Sequence, residues 1–99
     1  RARPSPVDHA FRTEWTPLVA ALVRETGNLQ LAEDSVSEAF VEAATRWRVD
    51  GVPRRPGAWL LTTARRKAID HQRRRQRFDD RLPLLADDGS HTTAPEALG

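Results

Sequence analysis

The 99 residues include no cysteine, so neither a disulfide nor a thiolate-held zinc can staple the fold. Stability has to come from packed side chains. Histidine is scarce as well, and His9, His71 and His91 fall in separate segments without metal-ligand spacing. The five glycines form no phosphate-cradling loop, and Gly51 and Gly57 read as turn residues. No apolar run approaches the roughly 20 residues of a membrane span, and no signal-peptide pattern opens the chain, which points to an intracellular, cytoplasmic protein. Methionine is absent and the first residue is Arg1, so the sequence reads as a piece of a longer protein. Lysine occurs once against fifteen arginines, as in a high-GC coding genome.

Catalytic groupings are missing in the same way. Glu33 and Asp34 are adjacent, and on a helix adjacent side chains diverge by about 100° instead of converging as an acid and base pair. Glu38 and Glu42 lie one turn apart, a common arrangement on a solvated face. No nucleophile stands beside a base, and no cofactor-binding pattern occurs. The chain is expected not to be an enzyme.

What is present is a modest hydrophobic complement, 38% of residues with three Trp and three Phe, enough for the core of one small domain. Charge is unevenly laid down. Residues 1–45 carry four basic and seven acidic side chains, residues 46–77 eleven and two, and residues 78–99 one and five, so local balances of −3, +9 and −4 hide behind the net +2. A local basic block of this kind is the footprint of a polyanion-binding surface. A basic membrane-surface helix would show it too, but Trp59, Leu60 and Leu61 lie at the opposite end of the segment from most of the charge.

Apolar periodicity predicts helices throughout and no strands. Residues 1–7 read as a flexible lead-in, with a first helix beginning either at Pro6, capped by Ser5, or at Asp8. Phe11, Trp15, Leu18, Val19, Leu22 and Val23 recur at three-and-four spacing and form its inward face. Pro17 interrupts the pattern, and a bend or break is expected near residues 13–15. Gly27 ends the helix and Asn28 caps the next. The second helix is predicted over residues 29–47, with Leu29, Ala32, Val36, Ala39, Phe40, Ala43 and Trp47 inward and Glu33, Asp34, Ser37, Glu38 and Glu42 outward. Residues 48–56 hold Gly51, Pro53 and Pro56 and read as an irregular ordered loop.

A third helix is predicted over residues 57–77. Leu60, Leu61, Ala64, Ala68 and Ile69 form its packing side, while Arg65, Arg66, Lys67, Arg73, Arg74, Arg75 and Arg77 cannot all join them. At about 1.5 Å per residue such a helix presents cations along about 30 Å, enough to follow several phosphates. The four arginines at its end also complement the helix dipole. Trp47, Trp59 and Phe78 flank the basic block, as do the aromatics that grip single-stranded bases, although core packing explains the two tryptophans as well. Beyond Phe78 the pattern dissolves into an acidic, flexible C-terminal tail, with Leu82, Leu84 and Leu85 able to add a helical turn against the core.

Two segments in this order carry a family resemblance: Leu31-Ala-Glu-Asp-Ser-Val-Ser-Glu-Ala-Phe40 and Ala58-Trp-Leu-Leu-Thr-Thr-Ala-Arg-Arg-Lys-Ala-Ile-Asp-His-Gln-Arg-Arg-Arg75. Together they resemble domain 2 of bacterial RNA polymerase sigma factors of the extracytoplasmic-function class, over residues 8–78. The chain departs from that pattern at Ser37, where the family usually has Gln, and at Thr63, where it usually has a bulkier apolar residue. The resemblance implies an all-α domain of three to four helices that binds the clamp helices of the polymerase β′ subunit and melts the −10 promoter element. By the same resemblance Asp34, Ser37 and Glu38 would meet β′, and the loop 48–56, with Arg54 and Arg55, would receive a base flipped from the non-template strand. Arg65, Arg66, Arg73 and Arg74 would hold the flanking backbone. An anti-sigma factor is a further possible partner, and residues 79–99 would be the stub of a linker to a second DNA-binding domain. Apart from the resemblance, a duplex-DNA regulator with its basic helix in the major groove and a purely protein-binding helical module remain open.

Overall fold

The computed structural model of the protein describes residues 5–85, with side chains as far as Leu82. Three α-helices account for nearly all of them: α1 Pro6–Thr26, α2 Leu29–Asp50 and α3 Pro56–Leu85. They divide into two units, residues 1–69, which hold the packing of all three helices, and residues 70–99, whose described part is the end of α3.

Each junction follows from local chemistry. Ser5 caps α1: its hydroxyl accepts the Asp8 N–H at 3.0 Å, and the Asp8 carboxylate accepts the Ser5 N–H at 3.4 Å. This reciprocal box satisfies two amides that the first helical turn leaves unpaired, and Pro6 takes the first helical position, where its missing N–H costs nothing. The earlier of the two expected starts is the one found. At the other end Gly27 adopts φ +70°, and its N–H donates to the Val23 carbonyl at 2.7 Å. Only glycine takes that left-handed conformation without strain from a side chain. Asn28 at once opens α2, its side-chain oxygen accepting the Leu31 N–H at 2.9 Å. Two residues therefore separate α1 from α2.

No break occurs at Pro17. α1 runs through it, although proline cannot donate to the Thr13 carbonyl. Pro17 and Thr13 are both exposed, so this interruption falls on the solvent side of a helix that continues without the expected break. α2 continues to Asp50, three residues past its predicted end, and stops at Gly51, whose φ is +90°. α3 is longer than expected in the same direction. Residues 79–85, read from the sequence as the start of a flexible tail, are helical. Leu82 is exposed, and residues 86–99 and the side chains of Leu84 and Leu85 lie outside the described residues.

The core is built from small residues. Ala10, Ala32, Ala39, Ala43, Ala64 and Ala68 make up half of the buried apolar set, with Leu18, Leu22, Val36, Phe40, Trp47 and Leu60 supplying the bulk. Most predicted inward positions are inside. Phe11, Leu29 and Ile69 are not: each is exposed, Leu29 because it is the first residue of α2 and has no turn before it to pack under. Phe11 keeps part of its surface in ring contacts, 5.1 Å from Trp15 and 5.2 Å from Phe40 between centroids. Such edge and tilted pairs contribute beyond the area they cover. Trp47 and Trp59 meet edge to face at 5.4 Å, the packing role expected of them as the simpler explanation.

Ser35 and Thr63 are the polar residues of this interior, at 0% and 1% exposure. The Thr63 hydroxyl accepts from Arg66 at 3.3 Å, but Ser35 Oγ has no hydrogen-bond partner among the described residues. A buried hydroxyl without a hydrogen bond costs about 1–3 kcal/mol, and Ser is a poorer helix former than Ala. Ser35→Ala is therefore expected to stabilise the protein by about 1 kcal/mol, raising Tm by roughly 4–8 °C, as a calorimetric comparison of the two proteins would show.

Candidate nucleic-acid interface

α2 turns its polar side outward as its periodicity predicts. Asp34 and Ser37 are exposed and Glu38 is half-buried. The Asp34 carboxylate accepts a 2.9 Å hydrogen bond from Gln30 one turn earlier, which orients it without neutralising it. Glu42, one turn beyond Glu38, is neutralised. Lys67 of α3 reaches it at 3.0 Å and Arg46 at 3.7 Å, and the Lys67 hydrogen bond is the main reason the Glu42 carboxyl titrates below its usual range. Arg46 also pairs with Asp50 at 3.3 Å. The outer side of α2 thus carries the carboxylates of Asp34 and Glu38, followed by Glu42 and Asp50, which are met by cations.

Between α2 and α3, Arg54 and Arg55 are both exposed in the turn. Arg55 is fixed at the backbone, where its carbonyl accepts the Trp59 N–H at 3.1 Å and starts α3. Gly57 lies in the first turn of α3. A methyl group there would stand 2.9 Å from the Glu14 carboxylate of α1, so the glycine lets an anion approach the positive end of the α3 dipole. On the N-terminal side of the same turn a cavity of about 440 Å³ opens between the start of α1 and the end of α2, walled by Val7, Ala44, Trp47, Arg48 and Val52. Trp47 Nε1 is buried and has no acceptor among the described residues.

The four arginines singled out on α3 have different surroundings. Arg65 is held by Glu25 of α1 through three hydrogen bonds of 2.7–3.1 Å, a fork-to-carboxylate pair. Arg66 donates to Thr63 of its own helix. In the second unit, Arg74 donates to His71 at 2.9 Å; a guanidinium can only donate, so His71 Nδ1 is the acceptor. Arg73 is exposed, with no partner among the described residues. The family resemblance gives these arginines one role, yet Arg65 is already paired and Arg73 has no partner among the described residues.

Glu25 is the contributor that the sequence pattern does not single out, and the partners of Lys67 and Thr63 are not legible there either. Glu25 did carry a signal: it stands in the last turn of α1, where the dipole disfavours an anion, and such a residue calls for a cation from elsewhere. Nothing in the spacing said that the cation would be 40 residues away.

The first unit holds the capped helices, the first motif segment, the acidic positions of α2 and Arg54, Arg55, Arg65 and Arg66, while Arg73 and Arg74 belong to the second unit. The profile of Sigma-70 region 2 matches residues 11–78.

The chain belongs to the sigma-70 region 2 family. It is a sigma-factor domain of transcription initiation, all-α as the family resemblance implied. A protein of Rhizobium meliloti (strain 1021) is 36% identical to this sigma region over an alignment of 99 positions. The alignment covers 86% of the chain but 23% of that relative, so the sigma region spans less than a quarter of the curated protein it matches. No solved structure matches it. Among the described residues no helix is long and apolar enough to cross a membrane.

Proposed function

We propose that this sigma region docks on the RNA polymerase core, on the clamp helices of β′, through the anionic part of α2, and holds the non-template strand of the −10 element with the 51–55 turn and α3. It acts in the cytoplasm as part of an extracytoplasmic-function sigma factor. Asp34, Ser37 and Glu38 meet the polymerase. Arg54 and Arg55, in the turn before α3, meet the strand, and Arg65, Arg66, Arg73 and Arg74 contact its backbone. The observation that carries this reading is the family match over residues 11–78, taken with the exposure of Asp34 and Ser37 on one helix and of all six arginines on the segment that follows it.

Physical chemistry makes the division of labour reasonable. Strand opening costs a few kcal/mol per unstacked base, and stacking on aromatic rings with cation-to-phosphate contacts offsets it. The 440 Å³ cavity beside Trp47 and Arg48 is within the range of small-ligand sites and has room for a single base. The protein need not break or form a covalent bond.

The test is binding to the isolated β′ clamp-helix fragment, comparing the natural chain with Asp34→Arg and Glu38→Arg. Reversing a charge at a complementary interface should weaken binding by about 1 kcal/mol or more, roughly fivefold, and flatten its salt dependence. Equal binding by all three folded proteins would remove α2 from the interface.

A further inference from the structure

Arg65 is the backbone-contacting candidate that already holds an anion. Its Nε and Nη2 atoms face the Glu25 carboxylate in the two-pronged geometry with which arginine also takes a phosphate. Arg24 lies next in sequence to Glu25, and its charge adds to the positive field around that carboxylate. The hydrogen bond from Arg65 is the chief reason the Glu25 carboxyl titrates below its usual range, so the carboxylate is charged at neutral pH.

The pair is well formed and yet open to solvent. Side-chain exposure is 49% for Arg65 and 40% for Glu25, and no other described residue hydrogen-bonds either group. Exposed pairs of this kind hold by little, commonly the equivalent of less than fivefold in equilibrium, because water and salt compete for both ions. A clamp between α1 and α3 would be better served by burial, and Leu22 of α1 and Leu60 of α3, both completely buried, already belong to one hydrophobic core. A phosphodiester, with one negative charge and two oxygens able to face a guanidinium, matches what Arg65 now binds.

We infer that Glu25 is a resident stand-in for nucleic-acid phosphate: a backbone phosphate of the bound strand takes its place on Arg65, and the carboxylate swings into solvent. The inference rests on the proposed single-strand binding and adds a residue of α1 to it. Glu25 then opposes binding to any strand, so that a free single strand is held weakly and a strand fixed by other contacts can displace the carboxylate. No bond is made or broken beyond the exchange of one ion pair for another.

The experiment measures affinity for a single-stranded oligothymidylate as a function of salt, using the natural chain, Glu25→Gln, Arg65→Gln and the double variant, each checked for an unchanged melting temperature. Glu25→Gln should tighten binding about two- to fivefold, the factor by which an exposed pair competes. Arg65→Gln should weaken it and make the salt slope shallower by about 0.7, the share of one phosphate on a single strand. In the Arg65→Gln background, Glu25→Gln should change nothing. An equal gain from Glu25→Gln with or without Arg65 would mean a general charge effect and overturn the exchange, as would no gain at all, while the proposed function would stand on the salt-dependent binding of the natural chain. If only Glu25→Gln binds, the exchange is supported directly. If no variant binds at low salt, the single-strand reading fails and the exchange with it.

Discussion

Leu60→Ala is expected to lower unfolding free energy by about 3–4 kcal/mol, in the upper part of the range for a buried leucine. Leu60 is completely enclosed, and half of the core around it is alanine. Alanines have no rotamer with which to fill the space a leucine leaves, so the cavity term is kept nearly whole. Urea denaturation followed by circular dichroism measures the loss. A chain of this size has on the order of 5–15 kcal/mol in total, so Leu60→Ala should still fold, with its midpoint shifted far down. Val41→Ala is the control. Val41 is 69% exposed on α2, so its truncation should fall within about 0.5 kcal/mol, with alanine's better helix propensity on its side. A cost below 1 kcal/mol at Leu60 would mean that the helices do not pack as described.

The second large effect is on nucleic acid. Replacing Arg73 and Arg74 together by Ala should weaken binding to single-stranded −10 DNA by about tenfold at low salt and reduce the salt slope by about 1.4, two phosphates at about 0.7 each. Both side chains are exposed, Arg73 has no partner among the described residues, and Arg74 gives up only its bond to His71. Fluorescence anisotropy across a salt series reads both quantities. The loss should be larger for the non-template strand than for the same sequence as duplex. A duplex preference in the natural chain would favour a major-groove regulator, and an unchanged slope in the variant would leave the protein-binding module as the better account.

Much of the architecture can be read along the chain because it is locally encoded. Ser5, Gly27, Asn28 and Gly51 sit at helix ends where their own side chains or backbone freedom satisfy the terminal amides and carbonyls. Apolar spacing located Leu18, Leu22, Val36, Phe40, Trp47 and Leu60 correctly. It missed Ser35 and Thr63 because periodicity is scored on hydrophobic residues, and in a tightly packed helix seam small size matters as much as polarity. The end of α3 escaped for a related reason: residues 78–82 are exposed, so no apolar stripe marks them, and pairs such as Gln76 to Asp80 at 3.3 Å support a helix that buries little. The candidate site was legible as a charge pattern. Its pairing was not, since Arg65 with Glu25 and Lys67 with Glu42 join residues far apart in sequence.

Lys67 gives the protein an unusual chemical handle. It is the only lysine side chain in the sequence, and it is tied to Glu42 within one turn of Glu38. An amine-reactive reagent would therefore mark one side chain, at the seam where α3 meets the anionic helix. A short amine-to-carboxyl crosslinker, or a mass tag whose uptake is blocked by a bound partner, would then report occupancy of that face without any engineered residue. Acylation of the same nitrogen would strip Glu42 of its nearest cation and leave Arg46, at 3.7 Å, as its ion-pair partner.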